Sequence, residues 1–235
     1  MKTRIVSACG RPLLVLGVLL LPTVLIAQTA SYPLASTTGV RSHNVIAESA
    51  TLQGKKGLKV VASQASLPPG TPAETFVLID DLEFGDGMIE AEISGEVRPG
   101  APEGARGFVG IAFRVQKDLR TYDAFYLRPT NGRAEDQVRR NHSVQYIAHP
   151  DWPWFRLRKE FPEKYESYVD LVPGTWTKVK IEVRGEQARL YVHGQDQPTL
   201  IINDVKSGAS AKGAIALWID NGTVAHFRNL VVSKK

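Results

Sequence analysis

Trp176 to Val192 reads WTKVKIEVRGEQARLYV, and its period decides the fold. Val179, Ile181 and Val183 alternate with Lys178, Lys180 and Glu182, the two-residue period of a strand with one face buried and one in water. Gly185-Glu186 turns the chain, and Ala188, Leu190 and Val192 return it as a hairpin. The same period recurs upstream. After the turn Phe84-Gly85-Asp86-Gly87, the stretch Met88–Val97 sets Ile89, Ala91 and Ile93 against Glu90, Glu92 and Ser94. Gly107–Gln116 sets Val109, Ile111, Phe113 and Val115 inward. Its other face is Phe108, Gly110, Ala112, Arg114 and Gln116, an open floor of small residues beside an arginine. Tyr122–Arg128 turns Phe125 and Leu127 in, Tyr126 and Arg128 out. Ala214–Asp220 repeats the small floor, with Trp218 on it. With Val45–Leu52, Gly57–Ala62, Glu74–Ile79, Leu200–Asn203 and Ala225–Val232, this makes about eleven or twelve short strands and no long helix. The expected fold is all-β: a two-sheet antiparallel jelly-roll sandwich.

The two ends of the chain frame this domain. Lys2, Arg4 and Arg11 precede an apolar run from Pro12 to Ala27, the pattern of a secretory signal peptide with cleavage before Gln28. An uncleaved membrane anchor is the rival reading, against which the run is short for a bilayer span. Val6-Ser7-Ala8-Cys9 imitates a lipidation motif but precedes the apolar run instead of ending it. Cys9 would leave with the leader, so the expected secreted or periplasmic protein has no disulfide and relies on its core. Losing Lys2, Arg4 and Arg11 leaves 26 of 29 basic residues against 24 acidic ones, a net charge of about +2 instead of +5. That is no argument for nucleic acid. Residues 28–42 read as a linker, and 43–235 as one jelly-roll domain, expected to be monomeric, with a long insertion at about 129–172.

The insertion belongs to an unusual stretch, Thr121 to Asp170. It holds ten of the chain's nineteen aromatic residues, and seven arginines or lysines between Arg128 and Lys159. Aromatic faces interleaved with guanidinium forks suit a polar, ring-shaped ligand; the competing reading is a segment with its own small core. Arg139-Arg140-Asn141-His142 is a compact donor cluster flanked by Arg128, Arg133, Arg156 and Arg158. Gln145 adds an amide, and Trp152-Pro153-Trp154 is a rigid aromatic turn.

FGDGMIEAEISGEV, GFVGIAFRV, GTWTKVKIEVRGEQARLYVHGQ and GAIALWIDNGTVAHFRNLVV, taken in order, resemble the concanavalin A-like lectin/glucanase superfamily. Within it they look most like laminin-G-like bacterial domains and the 3-keto-disaccharide hydrolase domain family. The resemblance covers roughly Val45 to Val232 and implies a carbohydrate partner, met on the concave sheet and its rim loops. It does not by itself imply a reaction.

The Glu-x-Asp-x-x-Glu strand of family-16 glucanases is absent; Glu90 and Glu92 share a face and are its nearest relative, with a solvated sheet face as the plainer reading. Asp80, Asp81, Glu83 and Asp86 cluster at a turn that could hold Ca²⁺, as relatives in the superfamily do. His142, His149 and His193 lack metal-ligand spacing, and no transition-metal site is expected. His142 and His149 are the imidazoles of the central stretch and the catalytic candidates. The expected ligand contacts are Arg114, Tyr126, Arg128, Arg139, Arg140, Asn141, Gln145, Trp152, Trp154 and Trp218. Three functions stay open: a glycan-binding module, an enzyme cleaving a 3-keto glycoside, and a structural domain of the cell envelope.

Overall fold

The computed structural model describes Met1 and residues 28–63 and 74–235. The expected leader lies outside the described residues. Two antiparallel sheets pack face to face. The eight-stranded sheet runs β13 (Leu200–Ile202), β12 (Gln187–Val192), β11 (Thr177–Arg184), β6 (Gly87–Val97), β15 (Thr223–Lys234), β4 (Lys55–Ala62) and β3 (Val45–Leu52), with β1 (Gln28–Tyr32) added along β15. The seven-stranded sheet runs β10 (Glu166–Ser167), β9 (Val144–His149), β8 (Tyr122–Leu127), β7 (Val109–Val115), β14 (Ala214–Ile219), β5 (Phe76–Ile79) and β2 (Val40–His43). Two short helices, α1 (Gln137–Asn141) and α2 (Trp154–Glu160), and a 3-10 turn at Pro129–Asn131 complete the described elements.

The alternation places the core. Ile89, Ala91 and Ile93 of β6, Val179, Ile181 and Val183 of β11, and Leu190 and Val192 of β12 are all buried. They face Val109, Ile111, Phe113, Phe125 and Leu217 of the other sheet, where the Phe113 and Phe125 rings stack at 6.1 Å. The hairpin read from the sequence is β11–β12, with Val183 opposite Ala188. This is the jelly-roll sandwich expected from the sequence.

Two boundaries differ. Residues 28–42 are no linker: β1 pairs with the end of β15, and β2 pairs with β5. Both are edge strands with mostly exposed side chains, so backbone hydrogen bonds hold them and no apolar period marks them. Nor is 129–172 wholly an insertion. Its middle, VQYIAH, is β9, paired along its length with β8. Five of its six residues are buried, since one face meets the core and the other lies under α2, so the alternation disappears.

Candidate functional site

The site sits on the outer face of the seven-stranded sheet. One row across that face reads Gln145 (β9), Tyr126 (β8), Gly110 (β7), Trp218 (β14) and Phe76 (β5). Gly110 is the gap in this row. A methyl group there would stand 2.6 Å from the Tyr126 Cβ and collide with the Phe125 carbonyl. With no side chain between them, the Tyr126 and Trp218 rings approach to 4.9 Å. The next row holds Ala124, Ala112 and Ala216. Tyr122 leans over these alanines to reach β14, where its hydroxyl accepts from Trp218 Nε1 at 3.1 Å. The small-residue floor is therefore roofed by a tyrosine that is itself buried, and is not open as the sequence suggested.

Tyr122 also carries the chemistry. Its hydroxyl donates to the Glu74 carboxylate, whose other oxygen lies 3.0 Å from His149 Nδ1. Burial, reinforced by the Glu74 charge, pushes the Tyr122 phenol well above its ordinary range, so it remains a donor. With a carboxylate opposite Nδ1, that nitrogen carries the proton and Nε2 is left as the acceptor. Glu74 and His149 keep 16% and 26% of their side chains exposed, enough to meet a solute. Beside them lies a cavity of about 260 Å³, walled by Trp218, Tyr126, Phe108, Trp154, Phe155 and Asp220, with Glu74 and His149 on its lining.

A second cluster stiffens the wall. Arg128 is buried and donates to Tyr126 Oη (2.8 Å), Gln145 Oε1 (2.9 Å), the His142 carbonyl (3.1 Å) and Glu166 (3.4 Å). Arg158 grips the same Glu166 with Nε and a terminal nitrogen, at 3.1 and 2.6 Å. Trp154 lies over both guanidinium groups, 5.9 and 4.8 Å from ring centre to carbon. His142 Nε2 stands 3.0 Å from Glu166, yet its imidazole is held below its ordinary value. Burial is the larger cause, and the two arginines that already neutralise Glu166 oppose its pull. His142 is thus a neutral donor within a structural network.

The expected site residues therefore divide. Tyr126, Trp154 and Trp218 line the pocket with His149, while Arg128 and Gln145 brace it from beneath. Trp152 lines a neighbouring cavity, its ring under the Arg156 guanidinium at 3.9 Å. Arg139, Arg140 and Asn141 do not reach the pocket: α1 carries them on the rim, Arg140 donates to the Ala134 carbonyl, and Asn141 accepts from Gln137. Arg114 is not on its floor. It sits in a bulge (φ 55°) at the sheet end, fully buried, and ties Gly85, Gly185, Ser207, Gly208 and Asp86 together. Glu90 and Glu92 face water on the eight-stranded sheet, beside Lys178 and beside Lys55 and Arg228.

Calcium does not fit the acidic turn. Asp86 is held by Arg114 and the Gly185 amide, and Asp80 faces Arg41. Among the described residues no three acidic or imidazole side chains converge as ligands. Glu74, Tyr122 and Phe108 were missed as site residues. Alternation puts Glu74 on one face with Phe76 and Leu78, the face opposite the core, but not beside Tyr122 and His149, which only the assembled sheet brings to it.

The sequence comparison bears on this geometry directly, since residues 48–233 match the 3-keto-alpha-glucoside-1,2-lyase-like domain. The chain belongs to that family. Among curated proteins none matches the chain in sequence. Among solved structures, it is similar to the carbohydrate-binding module CBM66 from Bacillus subtilis, at 16% identity and a TM-score of 0.53, over 83% of this chain and 96% of that one. It is also similar to a glycosyl hydrolase-like structure from Parabacteroides distasonis, at 10% identity and a TM-score of 0.52, over 88% and 100%. At such identities the likeness shows a shared sandwich. The family's description is of a lyase-like domain, and the Glu74–His149 pair and Asp220 are the groups on this pocket's lining able to move a proton.

Proposed function

We propose that this protein cleaves a 3-keto glycoside by elimination, with the oxidised ring in the Trp218–Tyr126–Trp154 pocket and His149 moving the proton. Family membership supports a carbohydrate partner. The observation that favours an enzyme over a binding module is the Glu74–His149 pair on the pocket lining, with the buried Tyr122 hydroxyl bonded to Glu74. A binding module needs stacking rings and donors, and no such pair.

The chemistry follows from the ketone. A C3 carbonyl makes the C2 hydrogen acidic. His149 Nε2 takes that proton, and the electron pair moves into the C3 enolate. The enolate collapses to a C1–C2 double bond as the C1–oxygen bond breaks. The departing oxygen takes the proton back from the imidazolium. The products are an alcohol and an unsaturated 3-keto sugar, with His149 neutral again. Glu74 holds Nδ1–H, sets the tautomer and stabilises the imidazolium as it forms. Trp218 and the half-exposed Trp154 offer ring faces to the sugar's C–H groups, and the buried Tyr126 ring backs Trp218.

Turnover of methyl 3-keto-α-glucoside by the wild type and by His149→Ala tests this. The wild type should release methanol and an enone, and the variant should bind without turnover. Binding of the sugar with no turnover by the wild type would leave a glycan-binding module as the function. The basic and apolar leader supports export as the setting, which an intact mass beginning at Gln28 in a periplasmic fraction would test.

A further inference from the structure

Three cavities follow one another along the outer face of the seven-stranded sheet. The aromatic pocket shares His149 with a second cavity of about 660 Å³. The second shares Gln116 and Lys212 with a third of about 870 Å³. Their sizes differ in a telling way. The pocket, at about 260 Å³, has room for one sugar ring, whereas the other two are each more than twice as large. His149 stands at the junction between the small compartment and the large ones.

The linings differ in chemistry too. The second cavity offers Thr121, Ser207, Ser210 and Gln116, side chains that pair with hydroxyl groups. The third sets Leu78 and Leu119 among polar neighbours, a mixture that suits rings with C–H faces and hydroxyl edges. Charge is balanced along the way. In the third cavity Arg41, Lys117 and Lys212 stand against Asp81, Glu83 and Asp118. In the second, Arg114 is paired with Asp86 and Lys206 with Asp204; its Lys212 is the one already counted, so Asp151 is left over and the two cavities together carry no excess of positive charge. Such a lining gives a polyanion no net attraction to offset its desolvation.

We infer that the two large cavities are leaving-group subsites, and that the aglycone is a neutral oligosaccharide of at least two sugar units. His149 then marks the bond that breaks, with the oxidised terminal ring enclosed on one side and the chain running out on the other. The protein is an end-acting enzyme on a chain. The assignment of the broken bond rests on the lyase reading above; the path for the chain does not.

Two measurements on the full chain test it. The first compares kcat/KM for methyl 3-keto-α-glucoside with that for gluco-oligosaccharides of four units oxidised at C3 of the terminal ring. The second uses calorimetry with unoxidised neutral α- and β-linked gluco-oligosaccharides of one to four units, and needs no chemistry. Both are repeated on Ser210→Trp, which fills the second cavity from an exposed position and leaves the pocket intact. The longest substrate should exceed the methyl glycoside by about tenfold or more, the size of one good subsite. Ser210→Trp should abolish that advantage and leave the methyl glycoside unchanged. Equal kcat/KM at all lengths, or equal losses for short and long in the variant, would overturn the proposal. If no 3-keto substrate turns over, the lyase reading falls alone, and calorimetry still decides the subsites. Affinity that rises with length and is lost in Ser210→Trp upholds them; affinity indifferent to length across the panel removes them. Tighter binding of an acidic oligosaccharide of equal length would overturn the neutral assignment.

Discussion

His149 faces Glu74 through one ring nitrogen, so replacing that carboxylate isolates what it does. Glu74→Gln keeps the shape but removes the charge that orients and supports the imidazole. We expect kcat to fall by about a hundredfold or more, within the range of acid–base contributions, with the melting temperature nearly unchanged. A kcat within twofold of wild type would take Glu74 out of the mechanism. The arginines separate site from scaffold in the same manner. Arg128→Ala leaves Glu166, Gln145 and Tyr126 short of a buried partner, and should cost about 3 kcal/mol of stability by chemical unfolding. Arg140→Ala removes a bond to one carbonyl on the rim and should change neither affinity nor stability by more than about 0.5 kcal/mol. A reversed order of the two would mean that the sugar is held at α1 and not at Trp218.

α2 is the element that closes the pocket. Trp154 opens it on the pocket side and remains 43% exposed, so its ring contributes little to the core. Trp154→Ala should weaken sugar binding by about tenfold through lost stacking, with little loss of melting temperature. Unfolding of the variant would show that the ring is packing. The β elements show how far the sequence could be read. Met88–Val97 and Thr177–Val192 have one face in the core and one in water, so their period was plain. β9 has both faces covered and β1 and β2 have neither, and in each case the period vanishes. The site divides along the same line. Trp218 and Tyr126 stood out because aromatic residues on an outward face call for a reason. Glu74 did not, because its role depends on Tyr122 crossing three alanines, a contact made only when β8, β7 and β14 lie side by side.

At the scale of the whole molecule, one carboxylate ties the segment after α2 to the loop after β13. Asp204 accepts from Tyr165 (2.6 Å), Lys164 (2.9 Å) and Lys206 (3.0 Å). Burial alone would raise its carboxyl; these hydrogen bonds outweigh that and hold it at about 2. A carboxyl depressed in the fold stabilises the protein above its ordinary value of 3.8, and that contribution is lost as the pH falls through about 2. Asp204→Asn should therefore flatten the dependence of urea midpoint on pH across that window, and an unaltered slope would count against the tie. The sandwich, the pocket and the proton-moving pair together make elimination the central claim, and the mass of the released sugar tests it most directly. Elimination yields a sugar lighter by one water than the hydrolysis product, and C2 deuteration of the substrate should slow its release. A first-formed sugar that has gained water at C1, with no effect of C2 deuteration, would contradict the account.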